Sequence, residues 1–247
     1  MKLPKRVRVG AHVLVVLVAL MLLSGCSSAA PTNTADQGST SAGSSSSGSA
    51  TSGSDITGSS TSSGSSTDSQ GETLYTPAYK LNGNETAVIK TSKGTVKVKF
   101  FEKDAPIAVA NFIELSLKGY YDGIKFHRYV AGFVIQGGDP GTKSAAGADV
   151  AAADAGSTGQ FGAGGPGYAI KDEYANNPNK HVDGSLAMAR TGAPDSGGSQ
   201  FYFALAPQPS LDGQYTVFGQ ETSGLDVIHK LRAGDTIESI TIENATK

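Results

Sequence analysis

The sequence predicts a mainly β domain, an antiparallel barrel or sandwich with helices at its ends. Three observations carry this prediction. From about Glu72 onward Tyr, Phe, Ile, Val and Leu return to a chain that largely lacks them over residues 27–72, leaving roughly 170 residues, the size of one domain with one core. Within that stretch, short apolar, β-prone segments recur between Gly, Pro and Asp. Only two segments carry apolar residues at helical spacing, and no internal repeat is visible. Many short strands with two helices fit a closed or stacked antiparallel sheet.

The elements follow in chain order. Residues 86–91 and 95–101 read as two strands joined by a hairpin turn at Thr91-Ser92-Lys93-Gly94. In the second, Val96, Val98 and Phe100 alternate with Lys97 and Lys99, so one face is buried and the other wet. Asp104-Ala105-Pro106 reads as an N-cap and first helical turn. Ile107, Val109, Phe112, Ile113 and Leu117 follow at helical spacing, and Gly119 ends the run, predicting a helix over 105–118. Further strands are expected at 125–129, 133–136, 185–188, 200–205, 216–220 and 237–242. A second helix is expected around Leu225, Val227, Ile228 and Leu231. Residues 141–165 are rich in Gly and Ala and read as a long loop, in which the alanines could form a short helix limited by glycines on both sides.

The segment before this domain sets the compartment. Lys2, Lys5, Arg6 and Arg8 precede an apolar run from Val13 to Leu23. That run is shorter than the about 20 residues needed to cross a bilayer, and it has the flanks of a signal-peptide core. Leu23-Ser24-Gly25-Cys26 resembles a bacterial lipobox. The resemblance implies that residues 1–25 are a signal peptide and that Cys26 carries the lipid, palmitate included, as the first residue of the mature chain. An ordinary signal peptide with a chance Cys, or an uncleaved anchor, is the weaker alternative. Cys26 is the only cysteine, so the chain has no internal disulfide and must fold on its core alone. Residues 26–72 are almost entirely Ser, Thr, Gly and Ala and cannot bury enough surface to offset their entropy, so they read as a disordered tether. The expected location is the extracytoplasmic face of the cell membrane, with the domain at 73–247 held there by the N-terminal lipid.

Charge excludes one class of partner. The chain has 20 basic and 22 acidic residues; without the four basic residues of 1–25 the balance is 16 to 22, a net charge of −6. A mildly acidic protein lacks the clustered cations that nucleic acid requires. Metal binding is not expected either, since His12 lies in the signal segment and His127, His181 and His229 have no ligand spacing. The Gly-rich stretches near 137–141 and 162–167 lack the GK[ST] of a phosphate loop, and no GxSxG marks a hydrolase nucleophile.

One segment carries a signature. Phe126-His127-Arg128-Tyr129-Val130-Ala131-Gly132-Phe133-Val134-Ile135-Gln136-Gly137-Gly138-Asp139 resembles the central motif of the cyclophilins. Residues 186–190 (LAMAR), 198–203 (GSQFYF) and 211–219 (LDGQYTVFG) resemble three further blocks in that family's order. The resemblance spans about Thr86 to Ile242. It implies a closed eight-stranded antiparallel β-barrel capped by two α-helices, with an active groove on its outside, and a peptidyl-prolyl cis/trans isomerase. Together with the lipobox-like start, this makes proline-containing exported polypeptides the expected partners, and the expected state is a monomer. A catalytically weak proline-peptide-binding module or surface scaffold is the alternative.

Such catalysis breaks no bond and needs no cofactor. The peptide C–N bond has partial double-bond character and a rotation barrier of about 18–20 kcal/mol. A catalyst must hold the proline ring, weaken amide conjugation, and bind the twisted state more tightly than either planar one. The resemblance assigns the second and third tasks to Arg128, whose fixed fork of donors can bond the prolyl nitrogen once its lone pair is released. Phe133, Val134, Tyr202, Leu211 and Tyr215 would form the apolar pocket. Alternation along Gln200-Phe201-Tyr202 puts Gln200 and Tyr202 on the groove side and Phe201 in the core. Gln136 and Gln200 would hold the substrate backbone and the moving carbonyl, and Ala189 and Arg190 would offer backbone hydrogen bonds. His127 reads either as a groove residue or as a structural, hydrogen-bonding one, and the structural reading is preferred. Three positions depart from the family: Tyr202 where Phe is common, Arg190 where Asn is frequent, and Ser210 where cyclosporin-sensitive relatives carry Trp, which implies weak cyclosporin binding. The extended loop 141–165 is expected beside the groove, where it would gate or widen peptide access; unchanged kinetics on peptides and folded substrates after its deletion would exclude that role.

Overall fold

The structure, a computed structural model, describes residues 66–67 and 73–245, all within the second of the chain's two units, Gly58–Lys247. The signal segment, Cys26 and nearly all of the segment read as a tether lie outside the described residues. Ser66–Thr67 pairs antiparallel with Thr73–Leu74 as a separate two-stranded ribbon.

Eight strands make one antiparallel sheet: β1 (Thr86–Thr91), β2 (Gly94–Phe100), β3 (Arg128–Val130), β4 (Val134–Gly137), β5 (Ser185–Met188), β6 (Phe201–Ala204), β7 (Val217–Ser223) and β8 (Ile237–Glu243). Their order across the sheet is β8-β1-β2-β7-β5-β6-β4-β3. Register shifts at Lys97/Val98, Leu186/Ala187 and Ile237/Ser239 add local twist and curl the sheet. Backbone bonds link the segments that precede its two edge strands. Gly123 N–H donates to the Ile237 carbonyl and Ile237 N–H to that of Ile124 (2.8 Å each), and Phe126 N–H donates to Asp235 (2.9 Å). These bonds lie in the segments leading into β3 and β8, around a bridge between Lys125 and Thr236. They also explain why β3 begins at Arg128 and not at the expected residue 125: Gly123, Ile124 and Phe126 bond to the segment leading into β8, and the ladder with β4 starts later.

Alternation sorts the side chains. Ile89, Val96, Val98, Ile135, Leu186, Phe201, Phe203, Phe218 and Ile237 are fully buried in the main core. Side chains fill this interior, as expected for a sheet of this size. Helix α1 (Pro106–Leu117) packs on that core, with Phe112 at its centre. The Phe112 ring lies 5.1–5.8 Å from those of Phe100, Tyr121, Phe201 and Phe218.

The start of α1 differs from expectation. Ala105 is the N-cap and offers no side-chain bond, while Asp104 accepts from Asn179 Nδ2 at 2.9 Å. Glu173, distant in sequence, supplies the cap instead: its two carboxylate oxygens accept from Ile107 N–H (3.0 Å) and Ala108 N–H (2.9 Å). One carboxylate thereby satisfies two of the orphan donors of the first turn and meets the positive end of the helix.

The loop expected at 141–165 is only partly irregular. It holds α2 (Gly147–Ala155), which buries Val150 and Ala153 and gives way to the backbone of Gly156. The first turn of α2 touches the closing segment backbone to backbone. A Cβ on Gly234 would stand 2.2 Å from the Gly147 carbonyl oxygen, and Gly234 has φ +91°. A side chain there meets both a clash and a left-handed backbone. Gly234→Ala is expected to destabilise the domain by about 2 kcal/mol or more, read as a lower urea midpoint; an unchanged midpoint would contradict this packing. The last helix, α3 (Leu225–Lys230), stops one residue before the expected Leu231, which turns into the core as its C-cap.

Candidate functional site

The outer face of the sheet carries a second apolar cluster: Val134, Ala187, Ala189, Tyr202 and Val217, with Phe101, Phe133, Leu211 and Tyr215 packed against it. Register explains its assembly. Arg128 faces Gln136 across β3 and β4, Gln136 faces Tyr202 on β6, and Tyr202 faces Ala187 on β5. These residues therefore form one row across four strands on the solvent side, while Phe201 and Phe203 point inward as alternation requires.

Above this row lies a cavity of about 250 Å³ lined by Arg128, Phe133, Val134, Gln136, Ala189, Arg190, Tyr202, Leu211 and Tyr215. The structure thus brings together the sequence-predicted site residues except Gln200, which lines the adjoining cavity, and Cys26, which lies outside the described residues. Gln200 remains connected: Gln136 Nε2 donates to Gln200 Oε1 at 2.9 Å.

The two arginines differ sharply. Arg128 packs 5.8 Å from the Phe133 ring centre, and among the described residues its guanidinium has no hydrogen-bond or ion-pair partner. Its donors are free at the cavity wall. Arg190 is fully engaged: Nε donates to the Gln214 carbonyl (2.9 Å), Nη1 to that of Thr191 (3.1 Å), and the guanidinium lies 5.0 Å from the Tyr215 ring and 5.1 Å from Tyr174. The Arg190 side chain thus braces Tyr215.

Two further cavities adjoin the first. One, about 310 Å³, runs past Gln136, Ala189 and Gln200 to the Gly162–Pro166 segment. The other, about 560 Å³, lies on the far side of Arg128 and is walled by α2 and the chain following it, from Ala153 to Gly162. The extended segment is stitched to the site at both ends. Buried Asp139 accepts from the N–H groups of Gly141, Gly162 and Gly164, and Gln200 Nε2 donates to the carbonyls of Gly162 and Gly164 at 2.8 Å.

His127 departs from expectation. It is buried, lines the cavity beyond Arg128, and makes no close hydrogen bond through either ring nitrogen among the described residues. The residues that sequence reasoning passed over are His181 and Asp212. His181 Nδ1 lies 2.9 Å from Asp212 Oδ1, and Nε2 lies 2.9 Å from the Tyr202 hydroxyl. A Tyr in place of the more frequent Phe was the one available signal, since a buried hydroxyl demands a partner.

Burial holds both histidines below the ordinary value of 6.5, against the opposing pull of Asp139 and Asp154 on His127 and of Asp212 on His181. The folded chain then resists protons that the unfolded chain accepts. Stability is complete above pH 6.5 and is lost as pH falls from there toward the folded values, by up to about 1.4 kcal/mol per pH unit for each histidine. Urea unfolding between pH 7.5 and 5.5 should show this decline, and His127→Leu should remove that residue's share. A flat profile would contradict it.

The cyclophilin-type peptidyl-prolyl cis-trans isomerase/CLD family matches residues 86–247. A peptidyl-prolyl cis-trans isomerase of Helicobacter pylori (strain ATCC 700392 / 26695) is 47% identical over 162 residues, which covers 64% of this chain and 87% of that protein. Peptidyl-prolyl cis-trans isomerase B of Bacillus subtilis (strain 168) is 42% identical over 149 residues, 60% of this chain and 90% of the relative. Among solved structures, a Cryptosporidium parvum cyclophilin-type isomerase crystallised in the presence of the dipeptide Ala-Pro is similar, with a TM-score of 0.53 and 30% identity, covering 64% of this chain and 99% of that one.

Proposed function

This chain belongs to the cyclophilin-type peptidyl-prolyl cis-trans isomerases, and from that premise we propose that its 250 Å³ cavity takes the proline ring and that Arg128 carries the catalysis. The chain is an isomerase of class EC 5.2.1.8. The observation that carries the residue assignment is a guanidinium with no hydrogen-bond or ion-pair partner among the described residues, at the wall of a cavity floored by Phe133, Val134, Tyr202, Leu211 and Tyr215.

The mechanism follows from the chemistry of the amide. In either planar isomer the prolyl nitrogen lone pair is conjugated with the carbonyl and is a poor acceptor. As the bond twists, the lone pair localises on nitrogen, and an Arg128 N–H can bond to it. That bond strengthens only in the twisted state, which is the requirement for lowering the barrier. Phe133, Val134, Leu211, Tyr202 and Tyr215 hold the ring by apolar contact, which fixes one side of the rotating bond. The Gln136 amide and the chain at Ala189 and Arg190 hold the flanking peptide, while Gln200, tied to the glycines of the extended segment, sets the wall beside it. The crystallisation of the Cryptosporidium parvum relative with Ala-Pro supports a proline-containing peptide as the occupant.

The wider role we infer is acceleration of proline-limited folding of exported polypeptides by a lipid-anchored enzyme at the extracytoplasmic face of the membrane. It rests on the lipobox-like segment at Cys26 and on the slow uncatalysed exchange of X-Pro bonds, tens to hundreds of seconds. Cells lacking the protein should mature proline-rich exported proteins more slowly in pulse-chase labelling, and Cys26→Ala should release the enzyme from the membrane fraction. Normal maturation and unchanged fractionation would remove this role while leaving the isomerase activity in place.

A further inference from the structure

We propose that His181 is a positioning residue for the proline pocket, holding Tyr202 from behind and, through Asp212, the turn that carries Leu211. The inference rests on the reading of the 250 Å³ cavity as the proline site.

The Tyr202 ring lines that cavity, but its hydroxyl must go somewhere. Left buried without a partner, a hydroxyl costs about 1–3 kcal/mol; turned into the pocket, it would put a polar atom against an apolar ring. Here Tyr202 is 4% exposed, and its hydroxyl meets His181 Nε2 at 2.9 Å. The two rings lie nearly parallel, 12° apart. The proton arrangement follows from Asp212. A carboxylate only accepts, so the proton sits on His181 Nδ1, and Nε2 presents a lone pair. The Tyr202 hydroxyl is therefore the donor, and its ring is fixed with the polar end away from the substrate.

The same imidazole anchors a second wall. Asp212 Oδ1 also accepts the His181 backbone N–H at 2.9 Å, and the His181 carbonyl accepts Gln208 N–H at 2.7 Å. The Pro209–Leu211 turn lies between these two ties, so Leu211 is set at the cavity by His181. Lys180 stands 3.7 Å from the other carboxylate oxygen, outside the buried chain of bonds.

A double-mutant cycle tests this on the full chain, with kcat and KM for an X-Pro peptide as readouts. His181→Asn retains a donor near the Nδ1 position for Asp212 and removes the acceptor for Tyr202. It is expected to raise KM about tenfold with little change in kcat, because the misplaced ring weakens ground-state and transition-state binding alike. In a Tyr202→Phe background, where no hydroxyl needs a partner, the same substitution should change KM less than about twofold. A histidine that only stabilises the fold would lower Tm equally in both backgrounds and leave KM alone; that result, or an equal KM rise in both, overturns the proposal. If the wild-type chain accelerates exchange without saturating, the pocket reading itself falls, and the proposal with it.

Discussion

Arg128→Ala is expected to lower kcat/KM for cis/trans exchange of an X-Pro peptide by about 10²–10³-fold, the usual loss when one donor to a transition state is removed. Circular dichroism and Tm should stay at wild-type values, because the guanidinium supports no described hydrogen bond or ion pair and contributes only its packing on Phe133. Arg128→Lys should recover little. A single ammonium on a flexible stem keeps the charge but not the planar fork that can reach the prolyl nitrogen while resting against a ring. If Arg128→Ala retains most of the activity, the pocket remains but the mechanism argued for it fails.

Phe112→Ala is expected to cost about 3–5 kcal/mol, a large share of the 5–15 kcal/mol that a domain of this size has in total. Phe112 is fully buried and contacts four aromatic rings drawn from β2, β6, β7 and the chain after α1. Its removal leaves a cavity that the curled sheet cannot collapse into, since Phe201 is held in the ladder opposite Met188 and the Phe218 carbonyl accepts the Phe101 N–H. The measurement is the urea midpoint with m held constant. A loss under about 1 kcal/mol would mean that α1 can shift to fill the space, and that the helix is a looser cap than its contacts indicate.

Local features of this fold were legible in the sequence. β1 and β5 occupy the residues that alternation and turn residues marked, and α1 lies within the segment its apolar spacing marked. The site was legible for a different reason. Its residues belong to short motifs with a family resemblance, and the row Arg128–Gln136–Tyr202 needs only period-two alternation on paired strands. What escaped was non-local. The Glu173 cap on α1 and the bonds of His181 to Tyr202 and Asp212 join residues far apart in the chain, and no spacing rule announces them. The sequence-level Asp104 cap failed because a stronger competitor, one carboxylate serving two amides, arrives from another segment. His127, beside Gly162 at the cavity beyond Arg128, makes no close hydrogen bond among the described residues and fits the groove alternative as well. The early start expected for β3 failed because Gly123, Ile124 and Phe126 bond to the segment before β8 and Lys125 N–H bonds to the Thr142 hydroxyl.

The central claim is that Arg128 acts on the twisted state and not on the bound peptide. The most direct test is to measure, by NMR, both the Kd of an X-Pro peptide and its exchange rate while bound, for wild type and Arg128→Ala. Binding within about threefold of wild type, with bound-state exchange slowed by about 100-fold or more, is the expected result. A Kd that rises in step with the loss of exchange would show Arg128 to be an ordinary binding residue, and would contradict the account.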